Sequence, residues 1–242
     1  VTIAVAPTQS SVLKVLRAFL LNVLPSKVEV ILAQVNRVPE PKAKDFVLMT
    51  PIRRQRLGTN LDGDNDCLFV GSIAGNVLTV SSVLIGILAL GATIFGTGIA
   101  ASTTITSFTS GTGGPGTYKV SPSQALGSAN LSCGSIDVVQ ETEIVVQLDV
   151  HGPSGADNAQ IISTLLRDAS AVDFMTALNA AVTPLYADDP RQMPFLNAEQ
   201  QYEDRWVVEA HLQANETVTG TPQQYGDAVS VTVIDVDVAY PP

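Results

Sequence analysis

The chain has 242 residues, 45% of them hydrophobic and only 15% charged, with a net charge of −10. This supports a real core in one large or two small domains and argues against a general nucleic-acid binder. The charge is segregated: residues 1–64 carry nine Lys/Arg against five Asp/Glu, a net of +4, and residues 65–242 carry four against eighteen, a net of −14. Unlike halves suit head-to-tail self-assembly or opposite partners on opposite faces; a fold that mixes the charges is the plainer reading.

In chain order, Ser10 or Ser11 is expected to cap a helix whose face is Val12, Leu16, Phe19 and Val23, widened by Leu13, Leu20 and Leu24 and ended by Pro25. Lys14 and Arg17 lie inside that apolar run and no small-residue cleavage site follows it, so it does not read as a signal peptide. "VEVILAQV" reads as a strand, "NRVPEPKAK" as a Pro-rich loop, and "DFVLMTPIRRQRLG" as a second strand with a basic end at Arg53, Arg54 and Arg56.

Cys67 to Ser102 contains no Asp, Glu, Lys, Arg or His. Length alone would allow a membrane span. Recurrent glycines, scattered Ser and Thr, β-branched residues and the lack of flanking Lys/Arg clusters argue instead for short strands joined by glycine turns. Residues 65–134 are therefore read as a small β-rich domain inserted into a discontinuous α/β domain of residues 1–64 and 135–242. Cys67 and Cys133 bracket the insert. They are either two buried free thiols, as cytosolic assembly favours, or a disulfide closing a loop of roughly 65 residues, with a stabilisation of about 4 kcal/mol if unstrained.

Beyond the insert, "DVVQETEIVVQLDVHG" is a long strand with Val139, Glu141, Glu143, Val145, Gln147 and Asp149 on one face and Val138, Ile144, Val146, Leu148 and Val150 on the other. "SGADNAQIISTLLRDA" is a helix opened by Ser154 or Asp157, with Ile161, Ile162, Leu165 and Ala169 inward, and "AVDFMTALNAAV" is a shorter one. "DRWVVEAHLQA" alternates, setting Trp206, Val208, Ala210, Leu212 and Ala214 against Val207, Glu209, His211 and Gln213. The last strand changes phase near Ile234, which predicts a bulge.

Asp62, Asp64 and Asp66 begin like a calcium loop, but Cys67 stands where the turn glycine belongs and Ile73 where the bidentate Glu belongs; the segment reads as a solvated acidic linker. "GTGGPG" matches the spacing of a dinucleotide fingerprint, but a strand-like "TYKVS" follows it instead of a helix, so it is a turn. His151 and His211 have no partner at metal-ligand spacing and read as surface histidines. No carboxylate pair or nucleophile elbow is spaced for catalysis. The sequence thus points to no enzyme, cofactor or metal.

Two resemblances carry the reading further. Gly-Ser-Ile-Ala-Gly at 71–75, Leu-Thr-Val at 78–80, Gly-Thr-Gly-Ile at 96–99, Thr-Thr-Ile at 103–105 and the glycine turn into Thr117-Tyr118 resemble an immunoglobulin-like β module inserted in many phage tail and fibre proteins. The stretches "LRAFLLNVLPSKVEVILAQVNRVPEPKAKDFVLMTPIRRQRLGTN", "HGPSGADNAQIISTLLRDASAVDFM" and "PLYADDPRQMPFLNAEQQYEDRWVVEAHLQAN" resemble the neck or tail-terminator proteins of long-tailed bacteriophages, the insert standing where plainer relatives have a short turn.

The second resemblance implies an α/β (α+β) fold with a mixed or antiparallel sheet and helices packed on it. It implies a structural virion protein, assembled in the host cytoplasm, that forms a homo-oligomeric ring of six subunits at the head-proximal end of the tail. The ring would end growth of the tail tube, meet the head-side connector and, in contractile phages, the sheath, and let DNA through its bore without binding it. On that basis Arg37, Arg53, Arg54 and Arg56 are expected at a basic interface, and Glu141, Glu143 and Asp149 at lumen or interface positions. Reversing the charge at Arg53 and Arg54 is then expected to block tail joining while leaving the subunit folded. The module alone would instead suggest a peripheral fibre or baseplate component.

Overall fold

The computed structural model describes residues 4–33, 41, 43–196 and 202–222. In chain order its elements are β1 (Ala4–Ala6), α1 (Gln9–Val23), β2 (Glu29–Leu32), β3 (Phe46–Arg56), β4 (Leu61–Ile85), β5 (Thr93–Phe95), β6 (Thr104–Phe108), β7 (Gly116–His151), α2 (Gly155–Leu165), α3 (Ala169–Leu178), β8 (Val182–Ala187), β9 (Arg191–Gln192), β10 (Phe195–Leu196), β11 (Tyr202–Glu203) and β12 (Arg205–Pro222). The fold is dominated by mixed and antiparallel sheet with three helices among the described residues. They fall into two compact units, one built on Gly63–Asp137 and one on Val5–Asp62 with Val138–Val218.

In the second unit the sheet order is β1-β12-β7-β3-β2. β2 and β3 run parallel, β3 and β7 antiparallel, and β8 and β9 add antiparallel to β12. Helix α1 forms because its apolar residues repeat at helical spacing: Val12, Leu13, Val15, Leu16, Phe19 and Leu20 are all buried, while Lys14 and Arg17 face out. Its cap is Thr8, not Ser10 or Ser11. The Thr8 hydroxyl accepts from the Ser11 backbone N–H at 3.2 Å, so the serines lie in the first turn and one of them supplies the donor being capped. Leu24 before Pro25 is extended, which ends the helix as expected.

Helix α2 is opened by Ser154 without a side-chain cap bond. Its buried face includes Ala159 and Ile162, with Leu166 just beyond its end; Ala169 is not inward but exposed at the start of α3, because the chain turns at Asp168, which caps that helix. The three helices share one core with alternate residues of the sheet: Val47 and Met49 of β3, Ile144, Val146, Leu148 and Val150 of β7, and Val208, Ala210, Leu212 and Ala214 of β12. Among the described residues of this unit, two bulges interrupt the ladders. One falls between Pro51 and Arg53, where proline has no N–H to give and Ile52 is left exposed. The other falls opposite His211 and Leu212, where β8 skips Leu185 beside Pro184. The phase change expected near Ile234, and Arg37, lie outside the described residues.

The first unit has its own core, including Cys67, Phe69, Leu78, Ile94, Ile105, Tyr118, Val120 and Leu131. The uncharged stretch is strand and turn, and among the described residues no helix is long and apolar enough to cross a membrane. Asp62, Asp64 and Asp66 are exposed, as expected of a solvated acidic segment, and sit in extended β4. The glycine turn at 111–116 is explained by Tyr118, fully buried, whose hydroxyl donates to Gly114 O and accepts from Gly113 N at 3.0 Å. A Cβ on Gly111 would lie 2.3 Å from that ring, so only glycine fits.

Candidate functional site

In the second unit, the odd-numbered residues of β7 and β12 lie on the face of the sheet opposite the helix-covered core, and there the fold assembles charges that are far apart in sequence. At the centre, Glu143 on β7 is held from two sides. Arg53 Nη2 of β3 donates to its Oε2 at 3.1 Å, and His211 Nδ1 of β12 lies 2.7 Å from its Oε1. Glu143 and His211 are both buried. Tyr186 of β8 stacks on the His211 ring, with centroids 4.1 Å apart and planes 14° apart. This stack is a product of the β8 bulge, whose register sets His211 opposite Tyr186.

The other ring nitrogen, His211 Nε2, points toward Asp188 Oδ1 at 3.7 Å. Asp188, just past the end of β8, donates its backbone N–H to Glu209 O of β12 at 2.9 Å, which sets the two residues opposite each other, and Glu209 shares a strand face with His211. One ligand atom from each of Asp188, Glu209 and His211 lies within 4.8 Å of the others. Arg191 Nη2 reaches Glu209 Oε1 at 3.3 Å from an exposed position.

A second network lies along the same two strands. Asp149 Oδ1 accepts from Arg205 Nε at 2.9 Å and from Arg205 Nη2 at 2.6 Å, and Gln147 Nε2 donates to both carboxylate oxygens at 2.9 and 3.1 Å. Asp149 is buried. At the basic end of β3, Arg54 Nη1 pairs with Glu216 Oε1 at 2.7 Å, and Gln140, with its amide in the favourable orientation, accepts from Arg56 Nε at 2.7 Å.

Of the expected site residues, all but Arg37 fall among the described residues. Glu143 and Asp149 are buried and ion-paired within the unit, and Glu141 is half-buried with its backbone O accepting from Leu57 N. Arg53 and Arg54 are 51% and 39% exposed in their side chains, each with an acidic partner. Reversing their charges would set like charges against Glu143 and Glu216, so the fold would not be left untouched. His151 and His211 are not surface residues: both are buried, and both stack on aromatic rings, His151 on Phe46 at 4.6 Å. Strand alternation marked the polar face correctly but does not reveal whether that face is covered. The Asp188–Glu209–His211 grouping is not legible in the sequence because β9, β10 and β11 lie between Asp188 and Glu209; the alternation of 209 and 211 is the available signal.

Cys67 and Cys133, in the first unit, are buried, form no disulfide and are joined by a side-chain hydrogen bond. That bond lowers the Cys67 pKa, and with burial pushes Cys133 far above the ordinary thiol value.

Among families, the one described as phage neck terminator protein matches residues 103–240. That span covers more than half the chain. It includes all of β6 and β7, so it begins inside the first unit. No curated protein matches the chain.

Proposed function

We propose, on the premise that this chain belongs to the phage neck terminator protein family, that it forms a ring of six subunits which ends the tail tube. Membership makes it a structural protein of the phage tail and neck. The ring, its bore and its partners are our reading. In it, the chain meets the tail tube on one side and the head-side connector on the other, and the sheath where the tail is contractile. Genomic DNA passes through without specific binding, as suits a chain of net charge −10.

The family match carries this reading. The segregated charge supports it, since a ring needs two unlike surfaces on each subunit. Arg53 and Arg54, at the end of β3, are candidates for one of them: each makes an ion pair inside the unit, and Arg53 still has half its side chain in solvent. The unit built on Gly63–Asp137 has a core of its own. We assign it, as residues 65–134, the role of an outward decoration, because a domain of that size turned inward would obstruct DNA.

Native mass spectrometry and electron microscopy of the purified 25.4-kDa chain, alone and mixed with tail tubes, test the ring. The expected result is a six-subunit ring, free or seated on one end of the tube. A chain that remains monomeric and leaves both tube ends bare would overturn it.

A further inference from the structure

We propose that Asp188, Glu209 and His211 form a binding site for a first-row divalent cation, of which Zn²⁺ is the best-fitting example. Three observations converge. First, His211 is 95% buried by its 5% exposure, and its Nε2 is a buried nitrogen without a hydrogen-bond partner among the described residues. Buried polar atoms are normally satisfied, so an orphan aimed at two carboxylates calls for a missing partner. At 3.7 Å from Asp188 Oδ1, Nε2 is too far for a hydrogen bond, but the gap suits two ligands of one ion. Tetrahedral ligands at about 2.0–2.2 Å from zinc stand roughly 3.3–3.6 Å apart.

Second, Glu143 fixes the tautomer. As an ionised carboxylate it can only accept, so Nδ1 carries the proton and donates across the 2.7 Å contact. A neutral ring held this way offers its Nε2 lone pair outward. Carboxylate to imidazole to metal is the arrangement that orients and strengthens a histidine ligand. The stacked Tyr186 holds the ring plane.

Third, Asp188, the residue just past the end of β8, sits opposite Glu209 of β12. Like charges at such positions repel. The cations facing them are limited: Arg191 reaches Glu209 at 3.3 Å with a side chain 63% exposed, Arg167 pairs with Asp189 instead, and Arg53 is engaged by Glu143. An exposed pair such as Arg191–Glu209 is weak and readily displaced. A divalent ion between the carboxylates removes the repulsion and satisfies Nε2 at once. One imidazole and two carboxylates suit zinc, with water in the fourth position. Bound there, the ion would clamp the β8 edge to β12.

The test is calorimetric titration of the full chain with Zn²⁺ alone, paired with thermal melts in Zn²⁺ and in chelator. The expected result is one ion per chain, a higher melting temperature with Zn²⁺, and affinity reduced by tenfold or more in Asp188→Asn and in Glu209→Gln. Asp188 is 43% exposed, so its variant should melt like the wild type in chelator and keeps the test independent of folding. Arg191→Gln should bind more tightly, since it frees Glu209. Absence of saturable binding, binding unchanged in both carboxylate variants, or weaker binding in Arg191→Gln would each overturn the proposal.

Discussion

Asp149→Ala is expected to lower the unit's stability by about 3 kcal/mol in denaturant titration, near the lower end of the range for breaking a buried ion pair. The variant leaves Arg205 without its two hydrogen bonds and Gln147 without its acceptor. Arg205 keeps 24% of its side chain in water, which lets it recover some solvation and keeps the cost from the top of the range. Asp149→Asn, which retains an acceptor oxygen, should lose less. Adding Arg205→Met to Asp149→Ala should recover part of the loss, because no uncompensated charge then remains. A loss under about 1 kcal/mol in Asp149→Ala would mean that the pair is a surface contact in solution. The expected result carries a functional corollary: the Asp149 carboxylate holds the sheet together before any neighbour or DNA is met.

The second large effect is in the helix-covered core. Phe19→Ala should cost about 3–5 kcal/mol. Phe19 is 2% exposed and meets Phe174 edge-on at 5.8 Å, joining α1 to α3. Alanine removes the ring and leaves a cavity between two helices that the sheet below cannot fill. Phe19→Leu should retain most of the stability, since it keeps the site apolar and nearly full. Equal stability of Phe19→Ala and wild type would show that α1 is not held by this face.

These two residues also mark how far the sequence could be read. Phe19 was legible because the helical period places Val12, Leu16 and Phe19 on one stripe, and a stripe of that kind has to be buried. The alternation along 138–150 and 206–214 likewise separated core from polar face. Residues 45–58 read as one uninterrupted strand, and the bulge beside Pro51 appears only in the register. What could not be read was who meets whom. Asp149 and Arg205, or Glu143 and His211, are separated by more than fifty residues and paired only by the strand register. Without that register, acidic residues on a polar face look available to a partner, and a histidine there looks exposed. The helix cap is not legible in the apolar period because Thr8 precedes it, ahead of both Ser10 and Ser11. The two cysteines could be placed near each other from their positions flanking the insert, but their thiol hydrogen bond could not.

The functional reading rests on the family, and a phage carrying a nonsense codon early in this gene tests it most directly. Electron microscopy of its lysates should show filled heads beside unattached tails, some of them abnormally long. Complete particles lacking only a peripheral appendage would contradict it and return the chain to the fibre or baseplate class.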